Sequence, residues 1–113
     1  MLARLLYTLT FYLAIPLLLF RLWKRARKNS DYAWRIPERF GYYTLQTPLQ
    51  NSLWFHTVSV GEFLAARPLI DRILDNYPDR PCVITTMTPT GSDRVQQAYA
   101  DQLAGGRIQH VYL

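Results

Sequence analysis

The sequence is poor in cysteine, histidine and glycine, and each shortage removes a class of function. Cys82 is the only cysteine of the 113 residues, so no intrachain disulfide can form, and we expect a buried structural thiol. The two histidines, His56 and His110, stand in no H-x-x-H or H-E-x-x-H pattern. The five glycines form neither a G-x-G-x-x-G nor a Walker pattern. We therefore predict neither a metal nor any other cofactor.

Acidic side chains are scarce at the N-terminal end of the chain. Residues 1–40 hold eight basic side chains against two acidic ones, a balance of +6, whereas residues 41–113 hold five against six. A nucleic-acid-binding domain needs basic residues clustered on one of its faces. The local basicity therefore argues against a nucleic-acid partner and draws attention to what the N-terminal segment contacts.

A charge-free run of 16 residues, Leu5–Phe20, lies near the N-terminus. As a helix it reaches roughly 24 Å, less than the ~30 Å hydrocarbon core, but flanking Arg4 and Arg21 can extend it by snorkelling. A cleavable signal peptide is an alternative, although no small-x-small cleavage site follows the run. A buried helix of a soluble protein is another. We predict a membrane-anchor helix over residues 1–23.

A basic cluster follows the apolar run at once: Arg21, Lys24, Arg25, Arg27 and Lys28. By the positive-inside rule this cluster places the next domain on the cytoplasmic side of the membrane. It also suits anionic lipid headgroups, at about 1 kcal/mol per basic residue. We interpret residues 24–52 as a basic and aromatic membrane-proximal connector, with a short helix ended by Gly41 and a loop at Gln46–Ser52.

Residues 53–113 alternate between strand and helix patterns, which predicts an α/β fold. Strands are expected at Leu53–Val58, Cys82–Met87 and Arg107–Leu113, and helices at Glu62–Tyr77 and Arg94–Leu103, the first kinked at Pro68 or regular only from Ala66. Ser92 or Thr90 is the expected N-cap of the second helix. Right-handed crossovers make the strands parallel in a doubly wound, incomplete Rossmann-like domain. A last strand without a following turn suggests a piece of a longer protein.

Two predicted strand-to-helix loops should meet at one edge of the sheet, since parallel strands share the edge where their carboxyl ends lie. The first loop, Ser59–Glu62, offers a carboxylate, which could act as a general base or simply favour the start of a helix. The second, Thr88–Ser92, offers hydroxyls and backbone N–H groups that could line a cleft or only cap a helix.

Four blocks, following a Leu/Tyr-rich anchor with a basic flank, resemble the start of the bacterial 3-deoxy-D-manno-octulosonic acid (Kdo) transferases. The blocks are Glu38–Gly41, His56–Glu62, Thr85–Ser92 and Gln109–Leu113. The resemblance covers the chain in order, and its Ser-x-Gly-Glu and Thr-Thr-x-Thr-Pro-Thr-Gly pieces are specific when they occur together.

The resemblance implies an inverting GT-B glycosyltransferase that needs no metal and moves Kdo from CMP-Kdo to the lipid A precursor (lipid IVA). It implies that Glu62 is the general base and that this chain is the first part of the N-terminal domain, inactive alone because another domain holds the CMP. It also implies a place at the cytoplasmic face of the bacterial inner membrane.

Six further residues are candidates for substrate binding beside the carboxylate: Ser59, Gly61, Thr88, Thr90, Gly91 and Ser92. Two other functions remain open from the sequence. One is a membrane-anchored α/β binding module without catalysis, and the other is a GT-B glycosyltransferase with a different sugar donor.

Overall fold

The computed structural model describes residues 1–33, 35–45 and 49–113, without the side chain of Tyr32. The predicted Gln46–Ser52 loop therefore falls partly outside the described residues. The chain divides into two compact units, Met1–Trp34 and Arg35–Leu113.

A single long helix, α1 (Leu2–Lys28), makes up most of the first unit, and a 3₁₀ helix follows at Ser30–Ala33. The helix has 27 residues, none of them buried, and contains Pro16 in its interior. It runs through the basic cluster, past the predicted end at residue 23. By length and composition alone, it is long and apolar enough to cross a membrane.

The second unit opens with a 3₁₀ helix (Ile36–Phe40) and then alternates strand and helix, which confirms the α/β prediction. The elements are β1 (Leu53–Thr57), α2 (Val60–Asn76), β2 (Cys82–Thr86), α3 (Pro89–Ala98), α4 (Ala100–Ala104) and β3 (Ile108–Tyr112). The sheet order is β1-β2-β3 and both pairings are parallel, as the crossover argument predicted. The register aligns Leu53, Cys82 and Ile108.

The core lies between one face of this sheet and the two helices α2 and α3. Phe63 and Ile70 of α2 meet Val95 of α3 over Ile84 of β2, and all four are fully buried. A doubly wound sheet would carry helices on both faces, so that part of the prediction is wrong for the described residues. Right-handed crossovers between neighbouring strands in sequence order put both helices on the same face.

Two helices differ from their predicted bounds for identifiable reasons. α2 begins at Val60 and continues through Pro68, which lies on the exposed side of the helix where water can satisfy the carbonyl left without a donor. α3 begins at Pro89 rather than at Arg94, and a break at Tyr99 separates it from α4. The Tyr99 side chain is buried, and its hydroxyl donates to Asp71 of α2 at 2.7 Å.

Residues 35–45, here called the edge segment, close the outer edge of β3. The His110 carbonyl and the Tyr112 N–H point away from β2 and would otherwise lack partners. The Arg35 guanidinium donates to that carbonyl at 2.9 Å, and the Glu38 carboxylate accepts from the Tyr112 N–H at 2.9 Å. Arg35 and Glu38 are themselves joined by two contacts of 2.6 Å, so one ion pair satisfies both strand groups.

The His110 ring is held as a neutral imidazole inside this network. Arg35 can only donate, so its 2.9 Å contact makes Nδ1 the acceptor, and Nε2 then carries the proton that it donates to Thr86 Oγ1 at 2.8 Å. Burial, together with the Arg35 charge, lowers the pKa of His110 to about 4, although the Glu38 charge opposes the shift. Burial raises the pKa of Glu38, but Arg35 and the Tyr112 N–H outweigh it and lower that pKa overall.

The fold should therefore lose stability as pH falls from about 6.5, the ordinary pKa of His110, to about 4. Between these two pH values His110 binds a proton in the unfolded chain but not in the folded chain, so unfolding becomes more favourable as the pH falls. Glu38 adds a further loss only below its ordinary pKa of 4.5.

Replacing His110 by Gln should flatten the upper part of this profile, because an amide can accept from Arg35 and donate to Thr86 without titrating. Thermal melts of the chain in detergent between pH 4 and pH 8, followed by near-ultraviolet circular dichroism, measure the effect. An unchanged slope between pH 4.5 and pH 6.5 in His110→Gln would contradict it.

Candidate functional site

The predicted carboxylate lies in the first turn of α2, at the carboxyl edge of the sheet. Ser59 is the N-cap of this helix, and its hydroxyl accepts from the Glu62 N–H at 3.4 Å. The Glu62 side chain reaches back, and its Oε2 accepts from the Val58 N–H at 2.8 Å. This is a capping box that reaches one residue further upstream than usual. The Glu62 side chain is exposed to solvent.

The threonine-rich stretch forms the start of α3. Its N-cap is Thr88, whose hydroxyl accepts from the Gly91 N–H at 3.1 Å, so the prediction of Ser92 or Thr90 as the cap is wrong. Pro89 occupies the first helical position, where its fixed φ suits a helix and its missing N–H costs nothing. The helix consequently begins before the residues that the sequence pattern favoured.

The two stretches are joined directly across the edge of the sheet. The Met87 N–H, just after β2, donates to the Val58 carbonyl, just after β1, at 3.3 Å. Both helix N-termini therefore open on the same side, as expected from parallel strands. The connecting loops are only Val58–Ser59 and Met87–Thr88, because the remaining candidates lie in the first turns of the helices.

The seven candidate residues differ in how much of each reaches solvent. Gly61, Glu62 and Thr90 are exposed, Ser59 and Thr88 are half-buried, and Gly91 and Ser92 are buried. The two half-buried hydroxyls already cap helices, and Ser92 Oγ accepts from Gln96 at 3.3 Å. Glu62 and Thr90 are thus the candidates with a polar side chain in solvent, and of these two Glu62 carries the carboxylate. The buried members shape the β2–α3 turn.

The two candidate glycines, Gly61 and Gly91, differ in how much space a side chain would have at their positions. A Cβ at Gly91 would lie 3.0 Å from Thr88 Oγ1 and 3.4 Å from Thr86 Cβ, so a side chain there would require the Thr88 cap to move by a few tenths of an ångström. A Cβ at Gly61 would come no closer than 3.9 Å to Ser59 Oγ. The open space beside Gly61 lies in the same helical turn as the Glu62 carboxylate.

Arg39 was not among the residues that the sequence singled out for the site. Its guanidinium donates to the Met87 and Leu113 main-chain oxygens at 3.3 and 3.0 Å, which brings a cation to the carboxyl edge of the sheet. Its place in the Glu38–Gly41 block is the sequence signal that could have indicated a role beyond the connector.

A cavity of about 440 Å³ lies away from the carboxylate, between the edge segment and the β3 side of the unit. Its polar lining includes Arg35, Glu38 and His110, which bind one another. No group of three or more metal-binding side chains occurs in the part of the chain that the structure describes. The Arg35, Glu38 and His110 side chains of the lining are therefore bonded to one another through Arg35.

Comparisons with known proteins identify relatives along the whole chain. A sequence model of the family described as 3-deoxy-D-manno-octulosonic-acid transferase (kdotransferase) matches residues 34–113. A 3-deoxy-D-manno-octulosonic acid transferase of Haemophilus influenzae is 34% identical over 97% of this chain, and one of Bordetella pertussis is 32% identical over 95%. A probable mitochondrial one of Arabidopsis thaliana is 38% identical over 58% of this chain and 14% of its own length.

The chain spans about 25% of the length of the two bacterial relatives. No solved structure matches the chain.

The contrast between the two glycines gives a test of the fold around the site. Gly91→Ala should destabilise the protein by about 1–3 kcal/mol, because the new methyl group would push the Thr88 hydroxyl out of its capping position. Gly61→Ala should leave stability unchanged or raise it by up to about 1 kcal/mol, since alanine is the better helix former. Thermal melts of both variants measure the difference, and equal effects would contradict the packing described here.

Proposed function

The chain belongs to the 3-deoxy-D-manno-octulosonic acid transferase family, and from this premise we propose that it forms the acceptor-facing, N-terminal part of an inverting glycosyltransferase. The donor is CMP-Kdo and the acceptor is the lipid A precursor, lipid IVA. The observation that carries the proposal is the exposed Glu62 carboxylate at the carboxyl edge of the sheet, held by the Val58 N–H. Ligands of open α/β sheets bind at that edge.

Glu62 acts as the general base in this proposal. Its carboxylate takes the proton from an acceptor hydroxyl as that oxygen attacks the anomeric carbon of Kdo. The new carbon–oxygen bond forms on the face opposite to the departing CMP, which leaves with the electron pair of the broken bond, so the configuration inverts. The Val58 N–H orients the carboxylate, and the space beside Gly61 leaves room for the approaching hydroxyl.

The donor is bound mainly by a part of the enzyme beyond this chain. The three-stranded sheet serves as the start of a Rossmann-like domain in a GT-B arrangement, and the relatives have about four times the length of this chain. Of the remaining candidates, Thr90 has an exposed side chain, and its hydroxyl binds the acceptor in this proposal. The remaining candidates, Ser59, Gly61, Thr88, Gly91 and Ser92, shape the helix starts beside Glu62 and Thr90.

The helix α1 anchors the enzyme in the bacterial inner membrane, with the sheet domain on the cytoplasmic side. Four cations, Arg21, Lys24, Arg25 and Lys28, follow a helical spacing along one side of its C-terminal turns. Phe20 and Trp23 lie on another side, with their rings 5.8 Å apart and the Arg27 guanidinium 4.9 Å from the Trp23 ring. Aromatic and basic groups together suit the headgroup region of a bilayer with anionic lipids.

A second function, a membrane-anchored α/β binding module without catalysis, is favoured by one observation. The Glu62 carboxylate and the Ser59 hydroxyl form a complete helix cap, and a cap needs no substrate to explain it. The two functions differ in what they require of the charge on Glu62.

Glu62→Gln should reduce Kdo transfer by about 10²- to 10⁴-fold in the enzyme that has the length of its relatives, because an amide cannot take up the proton. The fold should survive, since the Gln carbonyl can still accept from the Val58 N–H. The measurement is the transfer of Kdo from CMP-Kdo to lipid IVA, alongside a thermal melt.

Asp75→Asn is the matched control, because it removes the same charge from an exposed position near the other end of α2. It should leave transfer unchanged. Near-normal turnover in Glu62→Gln would reject the base assignment and favour the binding module.

The 113-residue chain alone should transfer no Kdo, because the proposal assigns the donor site to a part of the enzyme beyond it. The assay follows CMP release from CMP-Kdo in the presence of lipid IVA and detergent. If the short chain released CMP faster than its Glu62→Gln variant, residues 1–113 would hold a complete active site.

A further inference from the structure

The Arg39 side chain connects the edge segment to the loop that precedes α3. Its guanidinium lies over the ring of Tyr112, with 4.3 Å between the central carbon and the ring centroid. From there it donates to the Met87 carbonyl at 3.3 Å and to the Leu113 main-chain oxygen at 3.0 Å. A planar fork can hold two acceptors at fixed angles, which the single ammonium group of lysine cannot do.

The main chain of Met87 is therefore held on both sides by hydrogen bonds. Its N–H donates to the Val58 carbonyl of the β1–α2 loop, and its carbonyl accepts from Arg39. Thr88, the cap of α3, is the next residue. The position of Met87 therefore sets where α3 begins relative to the turn that carries Glu62.

A second, partly buried connection runs from the same segment to the same turn. Thr86 is fully buried, and its Cβ lies 3.4 Å from the position that a Cβ on Gly91 would occupy. The Thr86 hydroxyl is bonded to His110, which accepts from Arg35. Arg35 has a φ of 57°, a left-handed conformation that is strained in a residue other than glycine, and its side chain is paired with Glu38.

We propose that the edge segment positions the Met87–Ser92 turn of the candidate site, with Arg39 as its positioning residue. Arg39 acts through the Met87 peptide and contacts no substrate. The catalytic consequence of this arrangement rests on the proposed transferase function, whereas the structural consequence does not. A loosened turn in the transferase would raise the KM for the lipid acceptor more than it lowers kcat.

Amide hydrogen exchange in the 113-residue chain, followed by NMR in detergent micelles, tests the structural part. Arg39→Lys keeps the charge but loses the fork, so the Met87, Gly91 and Ser92 amides should exchange about tenfold faster. The Tyr77 amide, which bonds to Ile73 at the far end of α2, should not change. Arg94→Lys is the control, since the exposed Arg94 bonds only to Gln97 on its own helix among the described residues.

Unchanged exchange at Gly91 and Ser92 would overturn the proposal, and so would an equal acceleration at Tyr77, which would indicate a general loosening of the fold. Arg39→Gln provides a second variant if Arg39→Lys does not fold.

Kinetic measurements test the catalytic part, in an enzyme as long as the bacterial relatives. They compare the KM for the lipid acceptor and the kcat of Arg39→Lys with those of Arg94→Lys. A rise of about tenfold in KM with kcat within twofold supports the positioning role. Unchanged constants despite faster exchange would reject its catalytic part. Absence of Kdo transfer in the unsubstituted enzyme would reject the proposed function and leave the exchange result standing.

Discussion

The central strand β2 is the element on which the rest of the sheet domain depends. All five of its residues, Cys82–Thr86, are buried. β1 and β3 flank the strand, α2 and α3 cover the face that carries Cys82 and Ile84, and the Trp54 and His56 rings contact Thr85 on the other face. A backbone buried in this way must pair on both sides, since unpaired N–H and C=O groups there are costly. Parallel pairing on both sides then fixes the direction of all three strands and brings the starts of α2 and α3 to one edge.

The same pairing leaves the outer edge of β3 with strand groups that need partners. The edge segment supplies them from side chains, through the Arg35–Glu38 ion pair. The Arg35 and Glu38 side chains are half-buried, and an ion pair withdrawn from water contributes little to stability unless its remaining donors and acceptors are also bonded. Here both side chains are bonded to the strand and to each other, and Arg35 also donates to the neutral His110 ring. The pair thus stabilises the edge chiefly by giving partners to the His110 carbonyl and the Tyr112 N–H.

The sequence was sufficient to predict the order of strands and helices, because each element carries a periodic or continuous apolar pattern. The sequence was also sufficient to predict that the two strand-to-helix loops lie at one edge of the sheet, because the carboxyl ends of parallel strands share an edge. The start of α3 was predicted too late because Pro89 was interpreted as part of a turn, although proline is favoured in the first turn of a helix. The break at Tyr99 depends on Asp71 and Phe63, which lie 28 and more residues away, so no local pattern indicates it.

The contacts of the edge segment with β3 could not be predicted either, because they too join residues that are far apart in the sequence. Arg35 and Glu38 contact residues 74 and 75 positions further along the chain, and charged residues in a connector more often face solvent. The place of Glu62 at the turn after β1, by contrast, was predicted because the apolar strand pattern ends just before it and the helical pattern begins at it.

Glu62 shows why a structural and a chemical role need not exclude one another. Its Oε2 accepts from the Val58 N–H, while Oε1 has no hydrogen-bond partner among the described residues. A carboxylate can therefore fix its orientation with one oxygen and accept a proton at the other. A capped carboxylate is held more firmly than a freely rotating one, which is what a base aimed at a single hydroxyl requires. In the proposed reaction the helix cap is the device that orients the base.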